Sequence, residues 1–348
     1  MYIQLKKQPK MKIIYAGSPA ISVPSLMAIA KLQLDGGDCA LLGIITNPDT
    51  PKGRHKTPTP TPIGEAALEI CRLFTEKGLT PPVIFKRGGS NVLPACDILI
   101  SFAFGTIFTD KFLHKFPLGG VNVHPSLLPK YRGSTPISTA ILNGDAESGI
   151  TLQKMASEVD SGDILIQQNM TLCPRETTET FSEIVAVRSA RMLVEFVENH
   201  QKYLAEGKPQ DHAAATFCTH IKAQSGKIDW NQSAAKIDAQ VRAITAYHAC
   251  WAYIAKTQGV MVEGQNNIVY ILECEPVDPA SLDMKALTFD FEVSSVGKVL
   301  GNIKKQGIII KTGDGLLAIK SLQLPTRKAL DHNSFLNGAK SFIGTVLG

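Results

Sequence analysis

The chain holds 348 residues, 44% hydrophobic and 19% charged, with a formal charge of +5, which at about 100–200 residues per domain is two domains' worth. That balance excludes a disordered tail, a coiled coil and a disulfide-stapled mini-protein. Seven cysteines, an odd number spread from Cys39 to Cys274 without a C-x-x-C pair, argue against a structural zinc or thiol exchange and for a reduced, cytoplasmic protein.

No apolar stretch reaches the roughly 18–20 residues of a membrane helix, and MYIQLKKQPK lacks the apolar core of a secretory signal. Met11, directly before the first strand, is a second candidate start. From Lys12, KIIYAG reads as a short strand closing on Gly17. Ile21, Leu26, Ile29 and Ala30 then recur at helical spacing, and CALLGIIT is a second buried-type strand. Similar runs return at PPVIF, CDILISFAF and GGVNVH between stretches able to form helices, the cadence of an open parallel sheet. In such sheets ligands bind beyond the carboxyl ends of the strands. The first strand ends on one glycine where a dinucleotide fold needs G-x-G-x-x-G, and no G-x-x-x-x-G-K-[ST] occurs, so nicotinamide and P-loop readings fall away. Lys52, Arg54, His55 and Lys56 crowd a segment without acids, followed by alternating Thr-Pro; a solvated surface and a contact for an anionic partner both fit.

In GGVNVHPSLLPKYRGSTPI, Val121 and Val123 suit a buried strand, which turns Asn122 and His124 together to the opposite face at the strand's end. An amide and an imidazole there can donate jointly to one developing oxyanion, or act as a turn cap and a satisfied structural histidine. The following PSLLPKYRG, with two prolines and a glycine, holds backbone polar groups in an irregular loop where a ligand would lie. Asp160, in the turn Val-Asp-Ser-Gly-Asp, is either a plain hairpin residue or the carboxylate that joins Asn122 and His124 in one site. Thr178 to about Leu204 predicts one long helix, with Phe181, Ile184, Val185, Ala190, Leu193, Val194 and Val197 as its apolar stripe. EGKPQDHAAATF reads as a short polar linker. Beyond residue 235, one helix (AAKIDAQVRAITAY) precedes the short strands GVMVEG, NIVYILECEP and GKVLGNIKKQGIIIKTGDGLLAIKSLQL, whose Gly-Asp-Gly and Lys-Gln-Gly turns predict a small antiparallel barrel.

NVHPSLLPKYRG followed by NGDAESGITLQKMASEVDSGDIL resembles the 10-formyltetrahydrofolate-dependent formyltransferase family. Flanking segments narrow the resemblance to its methionyl-tRNA branch. KIIYAGSP is similar to that branch's opening strand, NPDTPKGRHKTPTPTPI to its basic loop, GKIDWNQSAAKIDAQVRAI to the start of its second domain and KKQGIIIKTGDGLLAIKSLQL to its final strands. The resemblance covers nearly the whole chain. It implies an open, mostly parallel Rossmann-like sheet over residues 11–203, a linker over 204–222, and an OB-like β-barrel that binds tRNA over 223–348.

Carried over by position, it implies Asn122, His124 and Asp160 as catalytic residues. Folate binding falls on Phe102, Ala103, Phe104 and Gly105, and on Ser126, Leu127, Leu128 and Pro129; tRNA contacts fall on Lys52, Arg54, His55 and Lys56. The reaction implied moves the formyl group of 10-formyltetrahydrofolate to the α-amino group of initiator methionyl-tRNA, in the cytoplasm, by a monomer without a metal. The chain departs from the family where TIFTDKF replaces an I-L-P turn, where AYHACW surrounds Tyr247 in place of N-P-W-P, and where His220 replaces a linker lysine. The alternatives are a formyltransferase for a small amine, such as glycinamide ribonucleotide or a nucleotide amino sugar, and a noncatalytic RNA-binding relative.

Overall fold

Met11–Gly17 (β1) and Cys39–Thr46 (β2) are almost unbroken apolar runs, which suits strands covered on both faces. Ile13, Ile14, Tyr15, Leu41 and Ile44 are wholly buried. Between them Val23–Leu34 (α1), with Pro24 in its first turn, lays Leu26, Ile29 and Ala30 into the core. The computed structural model describes residues 10–52, 56–89, 92–255, 267–283, 285 and 287–348; the strand expected at GVMVEG lies outside them.

The chain continues through the short pair Thr50–Lys52 (β3) and Thr57–Thr59 (β4) to Pro62–Glu76 (α2). The Thr61 hydroxyl caps α2 by accepting from the Gly64 N–H at 3.0 Å. Val83–Lys86 (β5), Ile98–Phe102 (β6), Asp110–Leu113 (α3) and Gly120–His124 (β7) follow. Then come Arg132–Gly133 (β8), Pro136–Asn143 (α4), Glu147–Lys154 (β9) and Ile164–Thr171 (β10). The single long helix expected next is two, Thr178–Glu198 (α5) and His200–Ala205 (α6), because Asn199 leaves the helical region at φ −123°, ψ 24°.

Seven strands form one sheet in the order β10-β9-β7-β6-β1-β2-β5. The five strands from β7 to β5 are parallel, while β9 and β10 are antiparallel additions at one edge. Register across it aligns Ile45 with Ala16, Ala16 with Ser101, Ser101 with Asn122, and Asn122 with Gln153. Partners in register share a face, so these five side chains stand in one row near the carboxyl ends of the parallel strands. The stretch EGKPQDHAAATF (206–217), read from composition as a linker, is instead packed: Lys208 bridges to Ile164, and Phe217–Cys218 (β11) runs parallel to β8.

The chain divides into two compact units: residues 1–136, 147–171 and 180–219 form the first, and 137–146, 172–179 and 220–348 the second. In the second, Ala234–Ile244 (α7) precedes Cys250–Tyr253 (β12), Ile268–Val277 (β13), Val299–Ile303 (β14), Gly307–Lys311 (β15) and Leu316–Gln323 (β16). These strands pair antiparallel in the order β12-β13-β16-β15-β14, and Leu330–Asp331 (β17), leading into His332–Gly338 (α8), joins β16. The two outer strands are tied together by the final residues, since Leu347 bridges Ile254 and Val346 bridges Lys298. Among the described residues no helix is long and apolar enough to cross a membrane.

Burial pushes the Cys39 and Cys96 thiols up to about 11 and the Cys250 thiol up to about 12, whereas Cys173 is exposed. Thiolate is the reactive form. Iodoacetamide at pH 8 is therefore expected to label Cys173 in the native protein and Cys39, Cys96 and Cys250 only after denaturation, as read by peptide mass spectrometry.

Candidate active site

Alternation along β7 buries Val121 and Val123 and turns Asn122 and His124 toward the turn that carries Asp160. Asn122 and His124, two residues apart, meet the distant Asp160 there. The Asn122 amide donates to Asp160 Oδ1 at 3.3 Å, and His124 Nδ1 stands 3.4 Å from Asp160 Oδ2. The pair is nearly dry, with 4% of the His124 side chain and 11% of the Asp160 side chain exposed. Two further donors complete the carboxylate's surroundings: Gln153 Nε2 reaches Oδ1 at 2.8 Å and the Gly133 backbone N–H reaches Oδ2 at 2.9 Å. Groups from three separate strands, β7, β8 and β9, thus converge on this one side chain, where a hydrogen bond to a charged group is worth about 1.5–3 kcal/mol.

On its far side the imidazole meets the Tyr131 carbonyl, 2.8 Å from Nε2. A carbonyl only accepts, so Nε2 carries the hydrogen of that bond. The approach of Nδ1 to Oδ2 then sets two lone pairs against each other unless one proton lies between them, on the ring or on the carboxyl. The geometry places an imidazole, a carboxyl and the Asn122 amide side by side, an arrangement able to donate to an oxyanion and to move a proton.

Asp160 itself adopts φ +54°, a left-handed conformation uncommon outside glycine. Opposite it, Gly133 sits at φ +117°, and a Cβ there would lie 2.1 Å from the Cys218 carbonyl oxygen across the β8–β11 pair. Glycine is required by both conformation and space.

The SLLP segment follows β7 directly. Its Ser126 hydroxyl donates to the Lys130 carbonyl at 2.6 Å, and Leu128 is locked by its N–H to Thr151 Oγ1 at 3.2 Å and its carbonyl from Gln167 Nε2 at 2.9 Å. Ser126, Leu128 and Phe102 have buried side chains, whereas Leu127 and Pro129 are partly exposed. Ala103 (φ +50°) and Gly105 (φ +73°) turn the chain sharply past β6 and are exposed, while Phe104 points inward. Phe104 begins an aromatic stack with Phe108 (5.4 Å between centroids, 11° between planes) and Phe112 (5.2 Å, 18°). This stack stands where the chain departs from the I-L-P turn. It forms one wall of a cavity of about 200 Å³, shared with Ile45, Phe85 and Arg87.

Of the basic loop, Lys56 is exposed at φ +49°, while Arg54 and His55 lie outside the described residues. No cluster of three or more His, Cys, Asp or Glu able to hold a metal occurs among the described residues. Gln153, Gly133, Tyr131 and, behind them, Gln210 and Arg132 are contributors that sequence reasoning missed. Only the register of β9 on β7 reveals Gln153, and Gln210 sits in a polar stretch that looks like a spacer.

Comparison with known proteins agrees with this architecture. Residues 11–197 match the family described as formyl transferase, and residues 220–340 match the formyl transferase C-terminal domain. The chain is 34% identical over 343 residues to the methionyl-tRNA formyltransferase of Treponema denticola, covering 96% of this chain and 98% of that protein. It is 33% identical over 338 residues to the one from Borreliella burgdorferi, covering 97% and 98%. Among solved structures, WlaRD, a sugar 3N-formyl transferase, superposes with a TM-score of 0.55 at 19% identity over 89% of this chain and 97% of that one. HypX from Aquifex aeolicus in complex with tetrahydrofolic acid gives 0.55 at 14% identity over 94% of this chain, which spans about half (47%) of HypX. These two likenesses concern the fold.

Replacing Gly133 by Ala is expected to cost about 2 kcal/mol or more of stability, since the new Cβ meets a backbone oxygen that cannot yield. A thermal melt of Gly133→Ala beside the parent checks it.

Proposed function

Because the chain belongs to the formyltransferase family over both its N-terminal and C-terminal segments, we propose that it transfers the formyl group of 10-formyltetrahydrofolate to the α-amino group of methionyl-tRNA, as a cytoplasmic enzyme supplying translation initiation. Relatives named for that reaction align over almost their whole length, which supports the acceptor. The observation that carries the chemistry is the Asn122–His124–Asp160 cluster, with the imidazole 3.4 Å from the carboxyl.

The folate cosubstrate supplies an activated formyl group when bound. The segments Phe102–Gly105 and Ser126–Pro129 are the proposed contacts for it. In the transfer the amine nitrogen bonds to the formyl carbon, the bond from that carbon to the folate nitrogen breaks, one proton leaves the amine and one reaches the departing nitrogen. An α-amino group titrates near pH 8 or slightly below, so a large share is neutral without a strong base. The free N–H of Asn122 and the His124 ring then meet the charge growing on the formyl oxygen, with His124 turning from its resting partners to do so. Asp160 takes and returns the proton, directly or through water. Because the carboxylate is fixed by Gln153 and Gly133, it does not have to be reoriented during the reaction.

Removing one such donor typically costs about 100- to 1000-fold in rate. His124→Ala and Asp160→Asn are each expected to lower kcat by about that range, with KM for folate and tRNA little changed. A formyl-transfer assay offering methionyl-tRNA, glycinamide ribonucleotide and a nucleotide amino sugar in parallel tests both the roles and the acceptor. Turnover of a small amine in preference to methionyl-tRNA would overturn the acceptor, and near-parental turnover in either variant would overturn the roles.

The basic loop is proposed to meet the acceptor end of the initiator tRNA, with Lys52, Arg54, His55 and Lys56 facing phosphates, and the second unit to hold the tRNA body. Arg54→Ala is expected to raise KM for methionyl-tRNA and to flatten its dependence on salt, leaving KM for folate unchanged; titrating KCl in steady-state assays reads this.

A further inference from the structure

Behind Asp160 lies a buried chain of side chains whose polarity is fixed from both ends. Arg132, 3% exposed, can only donate, and its Nε and Nη2 both point at Gln210 Oε1, at 3.1 and 2.8 Å. With its oxygen so engaged, Gln210 must turn its amide nitrogen the other way. That nitrogen lies 2.7 Å from the Gly162 carbonyl, 3.0 Å from the Asp160 carbonyl and 3.3 Å from Gln153 Oε1. Gln153, 1% exposed, thereby has its own oxygen engaged, and its nitrogen faces Asp160 Oδ1 at 2.8 Å. A guanidinium that only donates begins the relay and a carboxylate that accepts ends it, so neither amide can flip without placing like groups against each other.

The same Gln210 nitrogen grips carbonyls on both sides of Ser161, in the turn where Asp160 holds a left-handed φ. One residue thus constrains both the backbone of Asp160 and, through Gln153, the rotation of its carboxylate. With Oδ1 pinned by Gln153 and Asn122, Oδ2 is left aimed at the Gly133 N–H and His124 Nδ1.

We propose that Gln210 and Gln153 are positioning residues that hold the Asp160 carboxylate in register with His124, Gln210 acting through Gln153. The proposal rests on the formyl-transfer reading. Misplacing a reacting group by a fraction of an ångström to an ångström costs about tenfold to a hundredfold in rate, with binding little affected.

Gln210→Glu keeps the shape and the acceptor oxygen that both Arg132 donors meet but cannot donate; Gln153→Met keeps the volume and removes the polar head. Each is expected to lower kcat by about tenfold, with KM for folate and for methionyl-tRNA within twofold of the parent. Because the two act in series, the double variant should be no slower than the poorer single by more than threefold, whereas two independent structural defects would multiply. A parent without activity on methionyl-tRNA or on either small amine refutes the formyl-transfer reading itself. With an active parent, a kcat loss under fivefold in either single, a KM shift beyond twofold, or a multiplying double overturns the relay alone. Should Gln210→Glu not accumulate as folded protein, Gln153→Met decides the matter by the same limits on kcat and KM.

Discussion

A carboxylate taken nearly out of water has to be met by donors, and the first unit is arranged around satisfying Asp160. Its two oxygens receive an amide from β7, an amide from β9 and a backbone N–H from β8, and face an imidazole at the end of β7. None of these segments is next to Asp160 in sequence except β9. The antiparallel addition of β9 to a parallel sheet is what brings Gln153 opposite Asn122, and the return of the chain through β11 is what backs Gly133. An unmet charge here would cost several kcal/mol, so the turn, the strand order and the glycine are held together by one electrostatic requirement.

The parallel half of the sheet was readable from sequence because each strand is an apolar run of strand length bounded by turn residues, and Asn122 and His124 followed from alternation alone. What sequence could not convey was distance. Asp160 sits in a turn whose composition satisfies hairpin chemistry by itself, so nothing local separates a plain turn from a site. Gln153 lies in a strand where polar residues alternate with apolar ones, and its role depends on register with β7, which only the assembled sheet fixes. The polar stretch 206–217 was opaque for a related reason: its composition is that of a spacer, while its place is set by pairing with Ile164 and β8. The helix expected over Thr178 to Leu204 is interrupted only at Asn199, whose side-chain amide and backbone N–H both donate to the Glu195 carbonyl, at 3.0 and 3.1 Å.

The departure at TIFTDKF has a local logic of its own. Thr109 accepts from the Phe112 N–H at 3.3 Å and so starts α3. The short helix sets Phe112 on Phe108 and Phe108 on Phe104, so the wall here is built of stacked rings. Stacked aromatic faces are sequence-tolerant partners for planar ligands. The cavity they bound stands on the same face of the sheet as Asn122, at the other end of the row that runs through Ala16 and Ser101.

Gln210 reaches the buried network from beyond α6, on a stretch that in composition resembles the disposable spacer between two modules. A truncation ending after α6 would therefore strip the buried Arg132 guanidinium of both Gln210 and His212, the partners it meets on this stretch. Whoever trims this protein to its smallest working piece must leave the β11 strand attached, for the first unit finishes there and not where its last helix stops.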